Sequence, residues 1–126
     1  MSATRILIIA DAWKTVDDFR VFFDLHGYET EVVLNIEASL SILETRRMDM
    51  AIIGFEVQNR SGIDVLAKVR AIDPLIPAII HGSNSKRIKS MIKKADVQAY
   101  ITKPIKCDSF LRKVKKILAS HVSKVA

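Results

Sequence analysis

Five short apolar runs rich in branched side chains recur along the chain, separated by longer amphipathic segments. The first of them, RILIIA, is apolar at all but one position, as is typical of a strand that is covered on both faces of a sheet. The same pattern predicts five strands, at residues 5–10, 28–34, 50–55, 78–81 and 100–102.

The segments between these runs carry apolar residues at spacings of three and four, which is the period of a helix. Phe19, Phe22 and Phe23 follow this spacing, and Gly27 is expected to end that helix. Asn35 is expected to cap a second helix, and three more are predicted at residues 63–72, 86–95 and 109–119. We expect the polar run EVQNRSG to be a loop. Strands alternating with helices predict an α/β fold with a five-stranded parallel sheet and helices on both faces.

At 126 residues, with 49% hydrophobic and 27% charged residues, the composition is that of one globular domain rather than a disordered chain. We expect a single domain over residues 1–126, with a core at 4–119 and a C-terminal tail at 120–126. The single cysteine, Cys107, excludes an internal disulfide, and no apolar run approaches the ~20 residues of a membrane span. A cytoplasmic location is therefore expected.

The net charge of +6 is unevenly distributed. Residues 1–85 carry eight basic and twelve acidic groups, a balance of −4, whereas residues 86–126 carry twelve basic and two acidic groups, a balance of +10. A strongly basic segment attracts acidic protein surfaces or nucleic acid. The alternative is a solvated face that only keeps the protein soluble.

Candidate chemistry gathers at the carboxyl ends of the predicted strands, where parallel sheets bind their ligands. Asp11, residues 54–56, residues 82–84 and Lys103 fall at these ends. The chain contains no GxGxxG, no GxxxxGK[ST] and no GxSxG. A Rossmann dinucleotide site, a P-loop and a hydrolase nucleophile elbow are therefore unsupported.

Four segments at these strand ends resemble, in order, the receiver domain of bacterial response regulators: RILIIAD, DMAIIGFEVQNRSGIDVLAKVR, PAIIHGS and AYITKPI. Lys103-Pro104 matches the family's Lys-Pro after the fifth strand. The interval from Gly54 to Gly62 matches that from the phospho-acceptor to the loop glycine. The resemblance implies a flavodoxin-like fold and a role in a two-component or phosphorelay signalling system, without enzymatic activity.

The resemblance also implies a phosphorylation pocket, and three of its five groups are missing. A receiver holds Mg²⁺ with two acids at the first strand end and transfers a phosphoryl group to an aspartate at the third. A hydroxyl residue at the fourth strand end and a lysine at the fifth bind the new phosphate. The first acid is replaced by Ala10, the acceptor by Gly54 and the hydroxyl residue by Gly82. The degenerate pocket is expected to comprise Ala10, Asp11, Gly54, Glu56, Gly82, Ser83, Lys103 and Pro104.

Because Gly54 has no carboxylate, phosphotransfer at that position is chemically excluded. We expect no cofactor and no bound Mg²⁺, with Lys103 neutralising the nearby acids. Two alternatives stay open, a weak divalent-ion site formed by Asp11 and Glu56, and phosphorylation of Glu56 itself. Tyr100 occupies the family's switch-aromatic position, and we expect it to be fixed inward because Gly82 has no hydroxyl.

The basic segment coincides with the surface that receivers use for dimers and output contacts. We expect it to bind a signalling protein, or a second copy of the chain, whether or not phosphate is present. Nucleic acid is the less favoured ligand, because the chain has no helix-turn-helix or zinc finger. The expected interaction surface comprises Lys86, Arg87, Lys89, Lys93, Lys94, Lys106, Arg112, Lys113 and Lys116.

Overall fold

The computed structural model describes residues 3–102 and 105–125, and the side chains of all of these except 13–15 and 122–125. Five parallel strands form one sheet in the order β2-β1-β3-β6-β7. These strands are β1 (Arg5–Ile9), β2 (Glu29–Val33), β3 (Met50–Gly54), β6 (Ala78–Gly82) and β7 (Ala99–Thr102). The predicted five-stranded α/β fold is confirmed.

Five helices cover the two faces of this sheet. They are α1 (Trp13–Leu25), α2 (Ile36–Thr45), α3 (Gly62–Ile72), α4 (Lys86–Lys93) and α5 (Cys107–Val125). The predicted cap at Asn35 is confirmed, since its side chain accepts a hydrogen bond of 2.9 Å from the Ala38 N–H. Ser61 and Ser85 cap α3 and α4 in the same way.

The central strands explain the continuous apolar runs in the sequence. Leu7 and Ile9 of β1 point into a cluster that includes residues of α2, α3 and α4. Ile6 and Ile8 point to the opposite face, into a cluster with α1 and α5. Because successive side chains of a strand alternate between faces, a strand with helices on both sides has to be apolar throughout.

The last helix is longer than predicted. α5 continues past Ala119 to Val125, so the predicted helix end at residue 119 is corrected. No proline or glycine occurs between residues 107 and 125 to end the helix, which is the physical reason for the difference.

The segment expected to be a loop after β3 forms a small hairpin instead. Strands β4 (Glu56–Val57) and β5 (Arg60–Ser61) pair antiparallel. Gln58 and Asn59 connect them with φ angles of 51° and 61°, the left-handed values of a type I′ turn. The prediction was wrong here because glutamine is not a residue that normally indicates left-handed backbone.

Gly62 is the residue that lets this hairpin close onto the end of β3. Its N–H donates to the Phe55 carbonyl, so the two backbones are in direct contact. A Cβ at residue 62 would overlap the Gly54 carbonyl oxygen and lie 3.1 Å from the Phe55 Cα. Both are backbone atoms, which cannot move aside as a flexible side chain can.

We predict that Gly62→Ala lowers the free energy of unfolding by about 3 kcal/mol, because of this overlap with backbone atoms. Gly54→Ala is the matched control, since its Cβ would meet its nearest neighbour, the Glu56 carbonyl oxygen, at an ordinary 3.4 Å. The control should change stability by less than about 1 kcal/mol. Chemical denaturation measures both variants, and equal losses would contradict the close-approach account.

Candidate functional site

A cleft of about 490 Å³ opens at the carboxyl ends of β1, β3 and β6. It lies at the edge of the sheet where the sequence placed the candidate chemistry. Lys103 and Pro104 of the predicted pocket lie outside the described residues. The other predicted pocket residues all line the cleft, namely Ala10, Asp11, Gly54, Glu56, Gly82 and Ser83.

Asp11 anchors the hairpin that borders the cleft. Its Oδ1 accepts a hydrogen bond of 2.7 Å from the Gln58 N–H, at the turn of the hairpin. The Gln58 side chain in turn accepts a bond of 2.8 Å from the Ile36 N–H at the start of α2. These two hydrogen bonds connect the end of β1, the hairpin and the start of α2 at the carboxyl edge of the sheet. The expected pairing of Asp11 with Lys103 involves a residue outside the described part of the chain.

The described residues offer no group of three or more His, Cys, Asp or Glu side chains that could hold a metal ion. Asp11 and Glu56 are both exposed. One oxygen of Asp11 accepts the Gln58 N–H, so Asp11 acts as a structural hydrogen-bond acceptor in this structure.

The floor of the cleft is formed by Gly54 and the buried His81. A Cβ at residue 54 would lie 3.5 Å from His81 Nε2, so a side chain there would contact the imidazole directly. His81 is 8% exposed, and its ring packs against Phe19 with a centroid separation of 5.0 Å. Its burial within the aromatic cluster indicates a structural residue of the β6 end.

Tyr100 and Gly82 are in direct contact at the side of the cleft. The Tyr100 hydroxyl donates a hydrogen bond of 2.7 Å to the Ser83 carbonyl. A Cβ at residue 82 would lie 2.6 Å from that hydroxyl oxygen and 3.0 Å from the Phe55 Cβ. The Tyr100 hydroxyl therefore takes up space that any side chain at residue 82 would need.

The Tyr100 ring also packs against the buried cluster on the α4 side of the sheet. Burial raises the pKa of the phenol above its ordinary value of 10.0. The hydroxyl consequently stays protonated at neutral pH and remains able to donate to Ser83. The packing of the ring and this hydrogen bond both stabilise the orientation that Tyr100 adopts in this structure.

The bases of the predicted interaction surface flank β7, the edge strand of the sheet. α4 packs on one face through Ile92, and α5 packs on the other through Phe110 and Val114. All nine bases are exposed. Within the described part of the chain, none of them forms an ion pair.

Five of the six arginines before residue 86 form ion pairs with acids. Arg20 lies 2.6 Å from an Asp17 oxygen, and Arg70 lies 3.4 Å from an Asp96 oxygen. Arg5, Arg46 and Arg47 also pair with acids. The positive charges without internal partners are thus concentrated beside β7.

A family model described as the response regulator receiver domain matches residues 6–115. The chain belongs to the response regulator receiver family. The membership and the signalling class predicted from the strand-end motifs are confirmed.

Individual relatives agree with this assignment. The polar-differentiation response regulator DivK of Brucella anthropi is 27% identical over 116 residues, which are 90% of this chain and 94% of DivK. The heme response regulator HssR of Staphylococcus saprophyticus is 28% identical over 119 residues, which are 94% of this chain and 53% of HssR. This receiver therefore spans nearly all of one relative and about half of the other.

The fold agrees equally well with solved structures. A CheY-like receiver domain from Methanospirillum hungatei JF-1 superimposes with a TM-score of 0.86 at 25% identity, covering 98% of this chain and 99% of that one. No helix in the described ranges combines the length and hydropathy that crossing a membrane requires.

We predict that Gly82→Ser displaces Tyr100 and lowers the free energy of unfolding by about 2 kcal/mol, because the new Cβ overlaps the phenol oxygen. In a Tyr100→Ala background the same substitution should cost less than half as much, since the oxygen it meets is gone. The coupling free energy from this double-mutant cycle should reach about 1 kcal/mol. A coupling near zero would contradict the contact between the two residues.

Proposed function

We propose that this receiver is a pseudo-receiver, a protein-docking module of two-component signalling that works without being phosphorylated. The chemistry of the acceptor position supports the proposal. Gly54 ends β3 and lines the cleft, where receivers carry the aspartate that accepts the phosphoryl group. An acyl phosphate requires a carboxylate, which glycine does not have.

The observation that carries the proposal is the contact between Tyr100 and Gly82. In receivers the switch aromatic turns inward after a hydroxyl side chain at the β6 end moves toward the phosphate. Here Tyr100 is already bonded to the Ser83 carbonyl, and the hydroxyl side chain is replaced by a glycine that leaves room for the phenol. The inward state thus needs neither phosphate nor the movement of a hydroxyl residue.

The proposed docking function also requires no Mg²⁺ in the cleft. A receiver needs the ion to neutralise the phosphoryl group during transfer. Asp11 is the one acid retained from the usual pair, and it holds the hairpin through Gln58. The residue has thereby exchanged a role in metal binding for one in loop positioning.

The docking surface of the proposed module is the set of exposed bases on α4, on α5 and beside them. Their charges find no partner within the described residues, so they are available to an acidic protein. Because Tyr100 lies on β7, between α4 and α5, its fixed orientation also fixes the centre of this surface.

We predict that incubation with acetyl phosphate and Mg²⁺ leaves the intact mass of the protein unchanged. The physical reason is the absence of an acceptor carboxylate at the end of β3. A receiver that retains its acceptor aspartate serves as the positive control in the same buffer.

A mass increase of one phosphoryl group would contradict the proposal. Glu56 is the exposed acid that lines the cleft, so Glu56→Gln identifies the acceptor if an adduct forms. An adduct that disappears in this variant would establish phosphotransfer to an unusual acid instead.

A further inference from the structure

Two adjoining clefts line the open edge of the sheet, at the opposite side from β2. The larger, of about 510 Å³, contains Ala99 and Tyr100 of β7. The smaller, of about 210 Å³, contains Tyr100, Ile101 and Thr102. Tyr100 and Lys113 line both clefts, and the two together contain every residue of β7; we call the pair the β7 groove.

The walls of the β7 groove combine positive charge with an apolar recess. Lys106, Lys113 and Lys116 line it from the α5 side. Leu75, which is 60% exposed, and Ile117 line its larger end. Among the described residues, no Asp or Glu lines either cleft.

The shape of the groove suits an extended segment of chain. β7 is four residues long, and at about 3.3 Å per residue it spans roughly 13 Å. The Gln98 N–H bonds to the Ala78 carbonyl on the β6 side at 3.0 Å. Since backbone groups in a parallel ladder alternate between the two sides, Ala99 directs its N–H and C=O away from β6 and toward the groove.

We propose that the β7 groove binds an extended acidic segment of a partner protein. Carboxylates of the segment pair with Lys113 and Lys116, an apolar side chain enters the recess at Leu75 and Ile117, and the backbone bonds to Ala99. The inference rests on the proposed docking function and narrows the docking surface from nine bases on and beside two helices to one groove.

Charge and shape favour this occupant over the two alternatives. A second copy of the chain in the same orientation would bring the same basic segment to the interface, where like charges repel. A nucleic acid would use the phosphate-binding bases but would have no apolar side chain for the recess at Leu75. The groove offers both features side by side.

The test compares bases on α5 that do and do not line the groove. Lys113→Glu and Lys116→Glu change groove residues. Lys115→Glu is the matched control, because Lys115 is exposed, lies on the same helix, undergoes the same change in charge and lines neither cleft. All three positions are exposed, so each variant should fold.

The probe is an acetylated, amidated peptide of sequence Glu-Leu-Glu-Val-Glu, titrated into the ¹⁵N-labelled 126-residue protein and followed by NMR. We expect amide shifts concentrated at Ala99, Tyr100 and Lys113. Each groove variant should lower the affinity for the peptide about tenfold, whereas the control should lower it about twofold or less. A Glu-Ser-Glu-Ser-Glu peptide should bind less tightly, and Leu75→Ser should remove that difference.

Three results would overturn the inference. Equal weakening by groove and control variants would show attraction by net charge, which leaves a broad basic docking face intact but rules out the groove. Absence of any shift with the acidic peptide would rule out the groove as its binding site. Tighter binding of a short duplex DNA, weakened by the same variants, would replace the protein segment with nucleic acid. A phosphoryl adduct after acetyl phosphate is a separate result that rules out the pseudo-receiver alone.

Discussion

The Tyr100 hydroxyl and a side chain at residue 82 cannot occupy the same space. This steric exclusion determines how the end of β6 packs against β7. The hydroxyl bonds to Ser83, and its ring closes the cluster under α4. A Cβ at residue 82 would lie 2.6 Å from the hydroxyl oxygen, so glycine at 82 leaves the room that the Tyr100 hydroxyl occupies. Gly82 lines the cleft and Tyr100 lines the β7 edge, so the contact between these two residues connects the cleft with that edge.

Asp11 and the hairpin are joined by a hydrogen bond at the carboxyl end of the sheet. Asp11 bonds to Gln58, and Gln58 bonds to the first turn of α2. Gly62 permits the close backbone contact that begins α3 behind the hairpin. The Asp11 carboxylate thus has a structural partner in the hairpin, which gives a physical reason for an acid at this position.

Local patterns in the sequence were sufficient for the sheet and most of the helices. Ile6 to Ile9 are apolar because helices cover both faces, and Asn35 is a cap that can be recognised from neighbouring residues. The hairpin could not be predicted from local sequence. Gln58 has a positive φ angle, and its hydrogen bonds are to residues far away in the sequence. The β7 groove was missed for the same reason, since Leu75, Ala99 and Lys113 meet only in the folded chain.

The proposed function combines the uneven charge with the position of Tyr100. In it, the basic surface beside β7 is always available to a partner, and phosphorylation in the cleft no longer controls that surface. The most direct test adds Mg²⁺ and beryllofluoride, a mimic of the phosphoryl group, to ¹⁵N-labelled protein and follows the amides of Gly82, Ser83 and Tyr100 by NMR. The account predicts that these resonances do not move, because no acceptor aspartate binds the mimic and Tyr100 is already inward. Saturable shifts of these amides would show a working phosphorylation switch and contradict it.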